Sequence, residues 1–361
     1  MVKIVFSGGG TLGPVTPLLA VAQAYREKYP ETEFVWVGTA NGPEKELVEK
    51  NNIKFVTLTS GKWRRYFSLW NIFDIFRFAF GFLEAIVFII REKPALLISA
   101  GGYVSVPLHW AGTMFGIPQW IHQQDFQVGL ANQLMSKTAK LITVALKKNF
   151  SVFNIKKTVW LGNPVRSELF KGDKNRAKQK FGIKSNLPVV LAMGGGTGSL
   201  KVNQMLVESI QHLKGFCEII HLSGKERPQE LVDHAGKYFD HYHHYQFLNE
   251  EMSDAYAIAD LVISRGGFGS ISEIAALKKP AILIPKPGHQ FDNVQFIADD
   301  HAAIFIDERV SDGLYLAKII KELLNSDIER RQMANKLNAL MPPTADQTMV
   351  DIVNKLLKRN I

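Results

Sequence analysis

Cysteine is almost absent: Cys217 is the single one in 361 residues. That excludes an internal disulfide and a metal site built on several thiolates, and it suits a reducing compartment. Acidic residues are outnumbered, 34 against 43 basic ones, for a net charge of +9. Such a surface favours anionic partners, whether phosphates, nucleic acid or an acidic membrane, and charge alone does not choose among them. Low-complexity tracts, short repeats and long charge runs are missing, so nothing argues for a disordered arm or a solenoid. Met1 runs directly into an apolar strand with no basic n-region or small-residue cleavage site, which predicts a chain without a secretory signal. The length exceeds what one core usually serves and predicts two domains.

What is present is alternation. Strand-like runs KIVF, FVWVG (34–38), FVTL (55–58), ALLIS (95–99), PQWIH (118–122), KLITVA (140–145) and KTVWLG (157–162) are separated by amphipathic stretches such as Pro17–Lys28 and Glu44–Lys50. The pattern restarts at PVVLAMGGG (188–196) and continues through EIIHLSG (218–224), HYQFL (244–248), DLVISRGG (260–267), PAILIP (280–285) and AAIFID (302–307). Buried runs alternating with helices predict βαβ units and parallel sheets. A glycine-rich strand-to-helix turn opens each half. The expected fold class is therefore α/β with two Rossmann-like domains, residues 1–163 and 164–361, broken near GNPVR (162–166). The final amphipathic stretch, 346–358, is free to pack on either domain.

The stretch FSLWNIFDIFRFAFGFLEAIVFII (67–90) is long enough to span a bilayer, but Asp74, Arg77 and Glu84 interrupt it, and charge at mid-membrane is costly. On a helix these three fall within a stripe about 80° wide, which leaves the rest of the circumference apolar. A core helix with one wet edge fits this pattern. An interfacial helix fits it too, because the preceding KWRRYF (62–67) interleaves basic and aromatic residues as an anionic headgroup layer favours. The expectation adopted is peripheral association with an anionic membrane surface through Lys62, Trp63, Arg64, Arg65, Phe67, Trp70 and Phe73.

Gly8, Gly10 and Gly13 spell G-x-G-x-x-G after the first strand. Glycine permits a tight turn, and the helix N-terminus that follows offers N–H groups and a positive dipole end to an anion. A dinucleotide site also needs an acid at the end of the second strand to hold the ribose. Here that strand ends Gly38-Thr39-Ala40, which argues against NAD. In the second half, ISRGGFGSISE (263–273) runs from a strand through a glycine turn into a helix. Ser270 and Glu273 have capping-box spacing, so Glu273 either closes its own helix N-terminus or accepts hydrogen bonds from ribose hydroxyls beside glycine amides that face a diphosphate. PKPGHQFDN (285–293) places His289 and Gln290 on another loop after a strand, where doubly wound sheets bind ligands. GGGTGS (194–199) supplies further amides. Arg166, at the presumed hinge, either neutralises phosphate or pairs with a surface acid. HYHHY (241–245) has no cysteine or paired carboxylate to complete a metal set. The basic residues are scattered without a recognised module, which argues against nucleic acid.

Taken in order, GGGTLGPVTPLLAVA, SAGGYVSVP (99–107), GIPQWIHQQD (116–125), GNPVR, GGGTGS, ISRGGFGSISEIAAL and GHQFDN resemble the MurG-type glycosyltransferases nearly end to end. Members of that family move N-acetylglucosamine from UDP to a lipid-linked muramyl-pentapeptide, a precursor of peptidoglycan. The resemblance implies the GT-B fold, with two Rossmann-like domains facing across a cleft, and inversion at the anomeric carbon. It implies no cofactor and no metal held through Asp-x-Asp, a motif this sequence lacks. The implied partners are UDP-N-acetylglucosamine, a polyprenyl-diphosphate-linked muramyl-pentapeptide and an anionic membrane surface at the cytoplasmic face of the cell membrane. A relative with another sugar or lipid acceptor, or a nucleotide-sugar-binding homologue without turnover, would share the same outline.

By the same resemblance, Glu273 holds ribose, Leu248 presents backbone to uracil, and His289 and Gln290 touch sugar hydroxyls. Arg166 and helix-end amides stabilise the departing UDP, with Gly196, Thr197, Arg265, Gly266 and Gly267 in the substrate-binding set. Thr11, Leu12 and Gly13 fall on the acceptor side. Three motifs depart from the family. G-G-T-G-G-H becomes Gly9-Gly10-Thr11-Leu12-Gly13-Pro14, so proline replaces the histidine that is the family's candidate base. H-E-Q-N becomes His122-Gln123-Gln124-Asp125, and G-G-S-Q-G becomes Gly194-Gly195-Gly196-Thr197-Gly198. Asp125 is the new carboxylate within an acceptor-side motif and is nominated as the base, with a helix N-cap for VGLANQLMS as its competing role. His122 is assigned to packing at a strand end.

Overall fold

The computed structural model describes residues 1–11, 13–61, 70–195 and 198–358, and the backbone alone for 70–73 and Tyr238. The chain forms two compact units, Met1–Arg166 with Pro343–Ile361, and Ser167–Pro342. The first runs β1 (Lys3–Ser7), α1 (Val15–Lys28), β2 (Glu33–Gly38), α2 (Glu44–Lys50), β3 (Lys54–Thr57), α3 (Trp70–Glu92), β4 (Leu96–Ser99), α4 (Ser105–Met114), β5 (Gln119–Gln123), α5 (Leu130–Ser136), β6 (Leu141–Val144) and β7 (Thr158–Trp160). The second runs α6 (Lys174–Phe181), β8 (Val189–Met193), α7 (Leu200–Leu213), β9 (Glu218–Leu222), α8 (Glu230–Tyr238), β10 (Tyr242–Tyr245), α9 (Met252–Ile258), β11 (Leu261–Ser264), α10 (Phe268–Ala276), β12 (Ala281–Leu283), α11 (His289–Asp299), β13 (Ile304–Phe305), α12 (Gly313–Leu324) and α13 (Asp327–Leu340). A last helix, α14 (Asp346–Leu356), returns to the first unit.

Among the described residues both sheets are parallel, ordered β3-β2-β1-β4-β5-β6-β7 and β10-β9-β8-β11-β12-β13. Each is doubly wound, and the strand order reverses between β1 and β4 and again between β8 and β11. Ligands of such sheets bind outside the carboxyl ends of the strands at these switch points. The strands are apolar runs because helices cover both of their faces: Ile4, Val5 and Phe6 of β1 and Val190, Leu191 and Ala192 of β8 are wholly buried. Four helices start where a side chain satisfies a free amide. Asp173, Ser199, Asp312 and Ser326 cap α6, α7, α12 and α13, each accepting from the N–H three residues on.

Two sequence expectations shift. The strand expected at 244–248 lies at 242–245, because Tyr242 packs into the second unit's core and Leu248 is buried in the connection beyond it. In α3 the charged stripe is only partly the wet edge: Arg77 is exposed, but the two acids turn inward. Asp74 is buried, Glu84 Oε2 accepts the Thr59 N–H at 2.7 Å, and both face the loop that leaves β3. The outward face instead carries Phe76, Phe80, Leu83, Val87 and Ile90, with Phe76 70% and Leu83 60% exposed. Among the described residues no helix is long and apolar enough to cross a membrane. Lys62, Trp63, Arg64, Arg65 and Phe67 lie outside the described residues, as do the side chains of Trp70 and Phe73.

Helix α14 completes the first core. Met349, Val350, Val353 and Leu356 pack with Leu18, Val21 and Tyr25 of α1, while Asn354 accepts the Tyr25 hydroxyl at 3.0 Å and donates to Tyr29 at 2.9 Å. Met349→Ala should therefore destabilise the first unit by about 2–5 kcal/mol, the usual cost of truncating a buried methionine. Urea denaturation measures this, and a midpoint equal to wild type would show that the helix is not part of that core.

Candidate active-site residues

In the first unit the glycine turn after β1 is held from beneath by a carboxylate. Glu44, the first residue of α2, is completely buried. It accepts the Gly10 N–H (3.2 Å), the Thr39 N–H (2.8 Å) and the Thr39 hydroxyl (2.5 Å). A Cβ on Gly9 would overlap Glu44 Oε1. An acid therefore does reach the end of β2, brought back by the first turn of α2, but its oxygens are taken up by the protein's own loops. Gly10 has φ +84°, which glycine adopts without strain, and its amide is committed to Glu44.

The turn after β4 closes on the same loop. A Cβ on Gly102 would stand 2.9 Å from Gly9 N, and one on Gly8 would stand 3.1 Å from Gly101 O. Pro14 is the N-cap of α1 and packs against Gly8, which would place a Cβ 3.3 Å from the proline's own. Gly13 adjoins Gln124, whose side-chain amide nitrogen lies 3.1 Å from where a Gly13 Cβ would stand. Gln124 is buried, and its Oε1 has no hydrogen-bond partner among the described residues. Asp125 follows it, half-buried, with its backbone carbonyl accepting from Gln123 Nε2 and Asn149 Nδ2, both at 2.8 Å. It is not the cap of α5: that helix begins at Leu130 with Gly129 as its N-cap. Thr11 lies in the turn, and Leu12 is outside the described residues.

His122 is structural. The Thr143 hydroxyl accepts the Trp120 indole N–H at 2.8 Å and so donates to His122 Nδ1 at 2.9 Å, leaving Nε2–H to donate to Asn163 Oδ1 at 2.6 Å. Burial holds the ring neutral and lowers its pKa to about 4. Asn163 belongs to GNPVR, so that motif is tied to β5. Arg166, at its end, is half-buried and closes the first unit.

In the second unit, α10 begins at Phe268 with Gly267 as N-cap and no side-chain cap. The capping box, the competing role for Ser270 and Glu273, is not formed, because Ser270 is already inside the helix. Glu273 is instead half-buried along α10, where its Oε2 accepts the Tyr256 hydroxyl at 3.0 Å. The turn before α10 is anchored by Arg265, whose guanidinium donates to the Ile284 carbonyl at 2.9 Å and pairs with Glu308. Gly266 is hemmed in by Val294 and Gln290, and the Gln290 side-chain nitrogen lies 3.9 Å from where a Gly267 Cβ would stand. His289 and Gln290 are not loop residues: they open α11 after Gly288, and Gln290 Oε1 accepts the Lys286 N–H at 3.1 Å. Arg265, Gly266, Gly267, His289 and Gln290 thus gather beyond the ends of β11 and β12.

The turn after β8 is equally tight. A Cβ on Gly194 would overlap Ser199 N, and one on Gly198, at φ +73°, would overlap the Ser223 carbonyl. Gly196 and Thr197 lie outside the described residues. The histidines of 241–245 serve the fold. His241 and His243 pair with the buried Glu218 at 3.0 and 2.9 Å, and His244 pairs with Asp233 at 2.8 Å. Burial alone would raise the Glu218 pKa, but hydrogen bonds from Ser185, His243 and His241 outweigh it and hold the pKa low. Cys217 is buried in the second core, which raises its thiol pKa to about 12. Sequence reasoning missed Glu44, Gln124 and Tyr256. Only Gln124 carried a signal, its place in the acceptor-side run HQQD.

The pattern of the glycosyltransferase family 28 N-terminal domain matches residues 4–144, and that of its C-terminal domain matches residues 189–354. Curated relatives from Staphylococcus aureus strains bovine RF122 / ET3-1 and USA300 / TCH1516 are each 34% identical over 359 residues, covering 97% of this chain and 98% of theirs. Both are named UDP-N-acetylglucosamine–N-acetylmuramyl-(pentapeptide) pyrophosphoryl-undecaprenol N-acetylglucosamine transferase. Among solved structures, Acinetobacter baumannii MurG aligns with a TM-score of 0.76 at 23% identity, covering 98% of this chain and 100% of that one. The S. aureus MnaA–UDP structure aligns at 0.70 and 14% identity, covering 100% and 98%. These two structural likenesses show the fold.

Neutral buried histidines make stability depend on pH. Burial lowers the pKa of His109 and His122 to about 4 and that of His221 to about 3, from an ordinary 6.5. The unfolded chain binds these protons first, so their contribution is complete above pH 6.5 and is lost as pH falls towards 4. Each histidine contributes a slope of about 1.4 kcal/mol per pH unit in that window. Denaturation at pH 7.5 and pH 5 should show a large drop, and equal stability at both would contradict the buried-neutral assignment.

Proposed function

The chain belongs to glycosyltransferase family 28, and from that premise we propose that it transfers N-acetylglucosamine from UDP-N-acetylglucosamine to a polyprenyl-diphosphate-linked muramyl-pentapeptide, as the curated S. aureus relatives are named for doing. The observation that carries this reading is the 34% identity to those relatives across 97% of the chain. The chemistry is direct displacement: an acceptor hydroxyl attacks the anomeric carbon on the face opposite UDP, inverting it, while the C1–O bond to the diphosphate breaks.

In this reading the second unit binds the donor. The departing UDP gains negative charge, and donors fixed beforehand stabilise it without reorganising. The N-terminal amides of α7 and α10 are such donors, and the glycines before each helix let a diphosphate approach the backbone. Glu273, not needed by its own helix end, accepts from the ribose hydroxyls. Gln290 and His289 open α11 beside the Gly266–Gly267 turn and take the sugar hydroxyls.

The first unit binds the acceptor. Asp125 accepts the attacking hydroxyl's proton. With Pro14 where the family has a histidine, it is the carboxylate that the acceptor-side motif supplies. Its backbone is fixed by Gln123 and Asn149, so its position is set before substrate arrives. The exposed apolar stripe of α3 rests on an anionic membrane surface, which brings the enzyme to a lipid-linked acceptor.

Incubation with UDP-N-acetylglucosamine and the muramyl-pentapeptide lipid should release UDP and give the disaccharide lipid. Product only with another lipid, or binding without product, would overturn the reading. Asp125→Asn should cut turnover about 10²–10⁴-fold with UDP affinity intact, and retained activity would remove Asp125 from the base role. The chain should float with anionic vesicles at low salt and less as salt rises. Phe80→Asp with Leu83→Asp should lose this binding, and no flotation of wild type would contradict the membrane role of α3.

A further inference from the structure

Tyr256 is a fully buried phenol whose hydroxyl reaches a residue of the donor set. Its ring is enclosed in the second unit on α9, and its hydroxyl lies 3.0 Å from Glu273 Oε2 and 3.7 Å from Met193 Sδ. A phenol has one proton to donate, and a carboxylate is a far stronger acceptor than a thioether, so the proton goes to Glu273. Met193 is the last residue of β8, directly before the Gly194–Gly195 turn. The hydroxyl therefore stands where the diphosphate turn and the Glu273 carboxylate meet.

We propose that Tyr256 is a positioning residue that holds the Glu273 carboxylate in the rotamer that accepts a vicinal diol. This rests on the reading of Glu273 as the ribose ligand. A ribose diol offers two O–H donors, and a carboxylate takes both only when its plane is turned towards them. Glu273 is half-buried on a helix, and the terminal torsion of a glutamate is broad, so a partner that is itself fixed narrows it. The Tyr256 hydrogen bond occupies one lone pair of Oε2. Because the phenol is locked in the core, the carboxylate is oriented before the nucleotide arrives, and less torsional freedom is lost on binding.

The test uses the full chain and two probes, UDP and 2′-deoxy-UDP, which lacks one of the two ribose hydroxyls. Calorimetry gives the ratio of their dissociation constants for wild type, Tyr256→Phe, Glu273→Ala and the double variant. Wild type should prefer UDP, and Glu273→Ala should abolish that preference. Tyr256→Phe should reduce it by about 3- to 10-fold, the worth of one hydrogen bond, through weaker UDP binding with 2′-deoxy-UDP nearly unchanged. Adding Tyr256→Phe to Glu273→Ala should change nothing further, because the tyrosine acts through the glutamate. Glu273→Asp, which keeps Tyr256 and shortens the carboxylate, should lose preference as well, and it carries the test if the phenylalanine variant does not fold. Equal weakening of both probes by Tyr256→Phe, or no change in their ratio, would overturn the positioning role while leaving the ribose assignment standing. A preference that survives Glu273→Ala would overturn the ribose assignment and the tyrosine's role with it.

Discussion

The structure depends on how little room is left at the turns that follow the first strand of each sheet. In the first unit a Cβ on Gly9 would overlap Glu44 Oε1, and one on Gly102 would come within 2.9 Å of Gly9 N. In the second, Cβ atoms on Gly194 and Gly198 would overlap Ser199 N and the Ser223 carbonyl. Such close packing at a switch point keeps side chains out of the turns, the arrangement that suits an approaching anionic ligand. Any larger residue at these positions forces the loops apart and removes that arrangement.

Two carboxylates on helices show how the same surroundings are put to different ends. Glu44 is wholly buried, and its oxygens are spent on Gly10 and Thr39, so it stiffens a loop and binds nothing from outside. Glu273 is half-buried and receives a phenolic hydrogen bond from a tyrosine fixed in the core, which aims the group. The contrast explains why a glycine-rich first turn does not make the first unit a dinucleotide site. The carboxylate needed for a ribose is present at the end of β2 but already satisfied.

Much of this was legible in the sequence. Continuous apolar runs separated by amphipathic ones reveal a parallel sheet whichever side chains fill the core, and the glycine turns mark where each unit begins. What was not legible depends on how chain segments return in space. Glu44 lies six residues beyond β2 and reaches the glycine loop only because α2 turns it back. The S-x-x-E spacing of Ser270 and Glu273 has the form of a cap, but Gly267 starts the helix earlier, and Glu273 meets the Tyr256 hydroxyl instead. The polarity of α3 reads from sequence as a wet charged edge. Arg77 does stay exposed, but Asp74 and Glu84 serve the loop after β3, and Phe76, Phe80 and Leu83 lie outside.

The central claim is that the two units divide the substrates, nucleotide sugar to the second and lipid-linked acceptor to the first. Hydrogen–deuterium exchange of the intact chain with saturating UDP tests this most directly, because it reports each loop separately. Protection should rise at 194–199, 264–273 and 285–293, with 8–14, 99–104 and 122–126 unchanged. Protection by UDP of the first unit's glycine loops, with the second unit's turns unaffected, would contradict the account.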